Sequence, residues 1–187
     1  ADKRRSVAII RPVPRSKAAE TLAASEKDRA ENIMIVDLLR NDLSRVCQPE
    51  SIRVSRLCSV EPLPNLFHLV STIEGKLSPD KDAVDLLGAV FPGGSITGAP
   101  KLRAMEIIDQ LEPAARGAFC GSFGYISHDG ACDFNIMIRT IDHLPEEDRY
   151  WSGAGITLLS DAAAEWDEVR LKAERIIGAA RTAADEA

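Results

Sequence analysis

The hydrophobic periodicity changes partway along the chain, and that change restricts the fold more than any other feature. From Lys17 to Leu43 the composition is helical, and Ile33, Val36, Leu39 and Leu43, with Ile35 and Leu38, form a wide apolar stripe. Asp28, Glu31 and Arg40 are expected to lie off that stripe. From Ala118 to Ile126 and from Cys132 to Ile141 the period drops to two, the pattern of a strand with one buried face. His128-Asp129-Gly130 stands between these runs, and Asp-Gly between alternating segments predicts a tight antiparallel hairpin. Helices in mixed order with such a hairpin give the α+β class.

The remaining segments fit this class. Ser6 to Ile10 is a short strand candidate stopped by Pro12 and Pro14, Ile52 to Val60 alternates, and Phe67 to Leu77 is extended. Asp82 to Val90 reads as a helix, followed by the loop Phe91-Pro92-Gly93-Gly94-Ser95. The next helix is expected to open at Pro100, where a missing N–H costs nothing, and to run to Leu111. Tyr150 to Leu158 is a third strand candidate, interrupted by Gly153-Ala154-Gly155. The last helix begins near Ala162, capped by Ser160 or Asp161, and reaches Arg181.

Composition narrows the function classes. A chain of 187 residues suffices for one domain with its own core. With 23 Lys and Arg against 29 Asp and Glu, the net charge of -6 argues against a nucleic-acid partner. No apolar run approaches the roughly 18 residues of a membrane span. Ala1-Asp2-Lys3-Arg4-Arg5 lacks the apolar stretch of a secretion signal, so a cytoplasmic protein is expected. Cys47, Cys58, Cys120 and Cys132 form no CxxC pair and read as reduced core thiols. His68, His128 and His143 lack metal-ligand spacing, so zinc is not expected.

Three groups of residues could carry chemistry. Asp28 with Glu31, and Glu165 with Glu168, are i,i+3 carboxylate pairs on helices, and Lys172 follows Glu168 by four. Carboxylates from two helices suit Mg²⁺, which takes one or two of them plus water and substrate oxygens. The same pattern also describes solvated helix faces with an ion pair. The run Gly93-Gly94-Ser95-Ile96-Thr97-Gly98-Ala99-Pro100-Lys101 leads a glycine loop into a helix N-terminus, where backbone N–H groups could receive an anion. Its lysine is displaced from the P-loop position and no Ser or Thr follows it. In the strand around Asn135, alternation puts Asp133, Asn135, Met137 and Arg139 on one face, where Arg139 could grip a carboxylate with two hydrogen bonds. His68, in Leu66-Phe67-His68-Leu69-Val70, fits a core histidine as well as a catalyst.

Taken in order, these stretches resemble the chorismate-utilising enzymes. The matching segments are Glu31-Asn32-Ile33-Met34-Ile35-Val36-Asp37-Leu38-Leu39-Arg40-Asn41-Asp42-Leu43, His68-Leu69-Val70-Ser71, the Gly93 to Lys101 loop, and Arg116-Gly117 through Gly121-Ser122-Phe123-Gly124-Tyr125. Ile138-Arg139-Thr140 and Gly153-Ala154-Gly155-Ile156, with Glu165 and Glu168, continue the match. Within the family, the Gly94 to Lys101 and Cys120-Gly121-Ser122 segments are most similar to the aminodeoxychorismate synthase component I branch.

The resemblance implies a sandwich of mainly antiparallel sheet with helices, of which residues 1–187 would be the C-terminal part of one chorismate-binding domain. It implies Mg²⁺ held by Glu31 and Glu168, with Glu165 in the same acidic cluster. Arg139 and the backbone of Gly153, Ala154 and Gly155 would bind substrate carboxylate, and Ser95 would place a hydroxyl in the pocket. His68 would lie beside the reacting ring, and Lys172 near metal and carboxylate. The implied reaction is amination of chorismate to 4-amino-4-deoxychorismate, on the para-aminobenzoate and folate route. Its ammonia would come from a glutamine amidotransferase subunit or domain.

Asp28 and Phe119 stand where the family usually has a glutamate and often a tyrosine. Aminodeoxychorismate synthases also carry a Pro-Ile-Lys-Gly-Thr segment whose lysine forms an adduct with the ring. The corresponding stretch here is Pro12-Val13-Pro14-Arg15-Ser16, and Pro14 has no nucleophile. Anthranilate formation needs no such lysine and stays open as an alternative product. A non-catalytic fragment that binds a partner subunit is a second alternative.

Overall fold

The computed structural model describes residues 4–11, 18–63 and 66–185. The Pro12 to Ser16 stretch, including Pro14, lies outside them. The chain divides into two compact units, Ala1–Glu112 with Tyr125–Asp133, and Pro113–Gly124 with Phe134–Ala187.

The first unit is built on an antiparallel sheet of β1 (Arg4–Arg11), β3 (Leu66–Glu74) and β2 (Arg53–Leu63), in that order. Leu69 on the central strand faces Ile9 on one side and Val60 on the other. β3 is buried from Leu69 to Glu74, which is why it reads Leu-Val-Ser-Thr-Ile without alternation. Its end is held by Arg53, whose Nε donates to Glu74 Oε2 at 2.8 Å.

The helical stretch after residue 17 is two helices, α1 (Ala18–Ala24) and α2 (Glu26–Ser44), where the sequence suggested one. Ser25 makes the break. Its backbone is extended (ψ 107°) and its side chain accepts from the Asp28 N–H at 3.3 Å, as an N-cap does. The buried face of α2 runs through Asp28, Asn32, Ile35, Leu39 and Asp42, a 4-3-4-3 spacing, together with Val36 and Leu43. Asp28, expected off the stripe, is therefore buried, while Ile33, expected on it, is 39% exposed. Polar Asp28 and Asn32 open the inward face, and Asp42 lies beside Leu43 at its far end.

Ile35, Val36, Leu39 and Leu43 pack with Val46, Cys47, Ile73, Ala89 and Val90 into the main core. Each fully buried aliphatic side chain there contributes about 1.5–3 kcal/mol. A smaller cluster joins Leu22, Cys58 and Leu69. Ala89 and Val90 come from α3 (Ala83–Val90), which starts with a reciprocal cap. Asp82 accepts from the Val84 and Asp85 N–H groups, and Asp85 accepts from the Asp82 N–H. A short 3-10 turn at Gly94–Ile96 leads to α4 (Lys101–Leu111), for which Pro100 is the cap and not the first helical residue.

The hairpin forms as expected, from β4 (Ser122–Ile126) and β5 (Cys132–Ile136). Gly130 takes φ 81°, and Ser127 N–H donates to the Ala131 carbonyl at 2.7 Å. The Asp129 carboxylate is held below its usual range by the backbone N–H of Ala131 and then by the Ser127 side chain. Both arms are shorter than the alternation suggests. Residues 117–120 form a turn with φ 58° at Gly117 and 66° at Cys120. Cys120 and Gly121 then exchange backbone hydrogen bonds with Met137, each 2.9 Å long.

In the second unit, β6 (Ile141–His143) pairs with β7 (Asp148–Tyr150), and α5 spans Ala162–Asp185. Residues 151–157 are irregular, so the strand expected from Tyr150 to Leu158 is not there. The Phe119 and Trp151 rings stack at 6.3 Å, with the Arg116 guanidinium 5.9 Å from the Phe119 ring centre. Asp161 caps α5 by accepting from the Ala164 N–H at 2.9 Å, while the Ser160 hydroxyl serves Thr157 instead. Among the described residues, no helix is long and apolar enough to cross a membrane.

Candidate functional site

In the second unit, four of the residues singled out from the sequence share one face of α5 and the loop above it. Lys172 Nζ donates to Glu168 Oε1 at 2.8 Å and to the Gly153 carbonyl at 2.9 Å. The Glu168 and Lys172 side chains are about four-fifths buried, where hydrogen bonds to charged groups contribute about 1.5–3 kcal/mol. Tyr150 donates through its hydroxyl to the Lys172 carbonyl, and Ser152 to the Val169 carbonyl, at 3.1 and 2.9 Å. These bonds seat residues 150–153 on the helix. Glu165, one turn before Glu168, is buried. Gly153 and Gly155 are exposed and Ala154 is half-buried, so the glycine backbone stays open. A side chain on Gly153 would meet only Phe119, at 4.0 Å.

Arg139 is exposed, but not as part of a strand. β5 ends at Ile136, and Arg139 takes φ 53°, a left-handed conformation costing about 1–3 kcal/mol for a residue with a side chain. Alternation therefore does not place it beside Asp133 and Asn135. Its guanidinium makes no ion pair among the described residues.

In the first unit, Glu31 is half-buried on α2, and His68 is half-buried on β3 between Ile10 and Glu61. Ser95 is exposed on the 3-10 turn. The glycine loop is not the open anion cradle its sequence suggests. Ile96 and Thr97 N–H groups donate back to Gly93 and Gly94, and the Thr97 hydroxyl bonds the Gly93 carbonyl at 3.0 Å. Lys101 turns away to Asp42 Oδ2 (2.6 Å) and the carbonyls of Pro92 (2.8 Å) and Val90 (3.4 Å). It fixes both ends of the loop that carries Ser95.

The sequence reading missed one cluster. Asn32, fully buried, donates through Nδ2 to the Leu69 carbonyl at 3.2 Å, and its Oδ1 accepts from the Ser71 hydroxyl and from Cys58 Sγ. The available signal was a polar residue on the inward spacing of α2.

Among the described residues, no three His, Cys, Asp or Glu side chains gather to hold a metal. The donors expected for Mg²⁺ nonetheless fit it in kind: Glu31, Glu165 and Glu168 offer hard oxygens, and one or two carboxylates suffice when substrate and water complete the shell.

Comparison with known proteins identifies the family. Residues 12–178 match the chorismate binding enzyme family. The chain is 54% identical over 158 residues to aminodeoxychorismate synthase component 1 of Klebsiella aerogenes, covering 84% of this chain and 35% of that protein. It is 46% identical to anthranilate synthase component 1 of Streptomyces coelicolor, covering 87% of this chain and 32% of that protein. Among solved structures, anthranilate synthase component I from Streptococcus pneumoniae superposes with a TM-score of 0.79 at 37% identity, over 91% of this chain and 39% of that one. The chain thus spans about a third of the length of the curated relatives it matches. Its helices and antiparallel sheets are part of the fold of those structures, and the chain belongs to the chorismate binding enzyme family.

Proposed function

We propose that this chain is the C-terminal part of one chorismate-binding domain and takes part in Mg²⁺-dependent amination of chorismate to 4-amino-4-deoxychorismate. The observation that carries the reading is the bridge from Glu168 through Lys172 to Gly153. It joins a metal-type carboxylate to an open glycine backbone, in a chain half-identical to aminodeoxychorismate synthases.

Glu31, Glu165 and Glu168 would hold Mg²⁺, which neutralises the ring carboxylate and acts as a Lewis acid when bound. The chain's own residues supply the rest. Arg139 grips a substrate carboxylate through two parallel hydrogen bonds. The N–H groups of Gly153 to Gly155 supply further donors, held in place by Lys172, Ser152 and Tyr150. Lys172 also adds positive charge beside the dianion, which offsets the acidic balance of the whole chain. His68 would lie beside the reacting ring, and Ser95 would offer a hydroxyl to the pocket. Ammonia from a glutamine amidotransferase partner displaces the ring hydroxyl, which leaves as water. The reaction belongs to the cytoplasm.

Incubation of the protein with chorismate, Mg²⁺ and ammonium, with products separated by chromatography and fluorescence, tests this. Aminodeoxychorismate is the expected product. Anthranilate would favour the second reading, to which Pro14 and the 46% identity with an anthranilate synthase point. No product would favour a partner-binding fragment.

A further inference from the structure

Cys58 sits where β2 loses register with β3. Arg56 pairs with Thr72 and Ser59 with Val70, so Leu57 and Cys58 have no ladder partner across the strand, and Cys58 takes φ 49°. Such a bulge leaves backbone groups without their usual partners in a buried place. Side chains replace them. The Cys58 N–H donates to the Ser71 hydroxyl at 2.9 Å, and that hydroxyl donates to Asn32 Oδ1. Asn32 completes the set by donating to the Leu69 carbonyl and accepting from the Cys58 thiol. Asn32 and Ser71 are both fully buried, so the network has no water to substitute for a missing member.

The network ties α2 to β3 at one place. Asn32 follows Glu31 directly in the chain, and Leu69, whose carbonyl it holds, follows His68. Helix and strand can slide against each other over apolar contacts, whereas hydrogen bonds of fixed direction allow one setting.

We propose that Asn32 and Ser71 are positioning residues: their network at the β2 bulge sets where Glu31 and His68 stand in the chorismate site. The inference rests on the function proposed above, and its test separates the two. In the full chain, Ser71→Ala removes the central hydroxyl with little change of volume. Three quantities are read: circular dichroism for the fold, NMR resonances of the His68 ring, and chorismate affinity in Mg²⁺ by calorimetry.

The expected result is a folded variant with displaced His68 resonances and chorismate affinity reduced about tenfold or more, since small misplacements weigh heavily in a reactive site. Ser71→Thr, which keeps the hydroxyl, should return both toward wild type. A folded Ser71→Ala chain with unmoved His68 resonances and unchanged affinity would overturn the proposal. If Ser71→Ala does not fold, Asn32→Asp, which removes the amide donor at constant shape, is read in the same way. A wild-type chain that gives no chorismate heat overturns the functional reading, and the His68 resonances then decide the positioning by themselves.

Discussion

Lys101 Nζ lies 2.6 Å from Asp42 Oδ2, with the two side chains only 14% and 5% exposed, joining positions 59 residues apart in sequence. The pair fastens the N-terminus of α4 to α2. It also places a cation in the first turn of a helix, where the helix dipole opposes it, so the carboxylate and the two carbonyls must outweigh that cost.

Removing one member should be far worse than removing both. Lys101→Met leaves Asp42 buried and unpaired, at an expected cost of about 3–5 kcal/mol. Adding Asp42→Leu should recover most of it. Urea denaturation of the two variants checks this, and equal losses would contradict it.

Two glycines should respond in opposite directions to alanine. A Cβ on Gly121 would stand 2.9 Å from the Ala118 carbonyl oxygen, a backbone atom that cannot swing away, so Gly121→Ala should destabilise by about 1–3 kcal/mol. Gly88, inside α3, has nothing within 4 Å of the added atom, and Gly88→Ala should stabilise by about 0.4–1 kcal/mol. Thermal melts of both variants provide the comparison.

Burial pushes the Cys47 thiol above its ordinary 9.0. A thiol whose folded pKa is raised contributes its full stability below the ordinary value and loses it as pH rises through the raised one. Cys47 should therefore resist thiol reagents in the folded chain, and half-buried Cys132 should react first. Mass-spectrometric mapping after brief alkylation, with and without urea, tests the order.

Arg139 combines a strained backbone with an exposed side chain. Asn tolerates the left-handed region better, so Arg139→Asn should keep or raise the melting temperature, by up to about 1 kcal/mol of stability. Chorismate binding should nevertheless be lost. A variant that is both stable and fully binding would remove Arg139 from the site.

The legible parts of the fold were those written locally. Asp129-Gly130 announced its hairpin, and the inward period of α2 was visible from Ile35 to Leu43. What stayed hidden depended on partners far along the chain or on single backbone angles. Asp28 looked like a surface carboxylate because only tertiary contacts give it a buried place. The left-handed turns at Cys58, Cys120 and Arg139 leave no trace in a hydrophobic pattern, so the alternation through Arg139 suggested a strand that ends at Ile136. At the candidate site, the i,i+4 spacing anticipated the Glu168–Lys172 ion pair. That Lys172 holds the Gly153 carbonyl could not be read from spacing, since the loop reaches α5 from 19 residues away.

The most direct measurement of the central claim is calorimetric titration of the chain with chorismate, with and without Mg²⁺, alongside Glu168→Gln. The expected result is saturable heat that requires Mg²⁺ and disappears in the variant. Absence of heat from chorismate under either condition, or binding in Glu168→Gln equal to wild type, would contradict it.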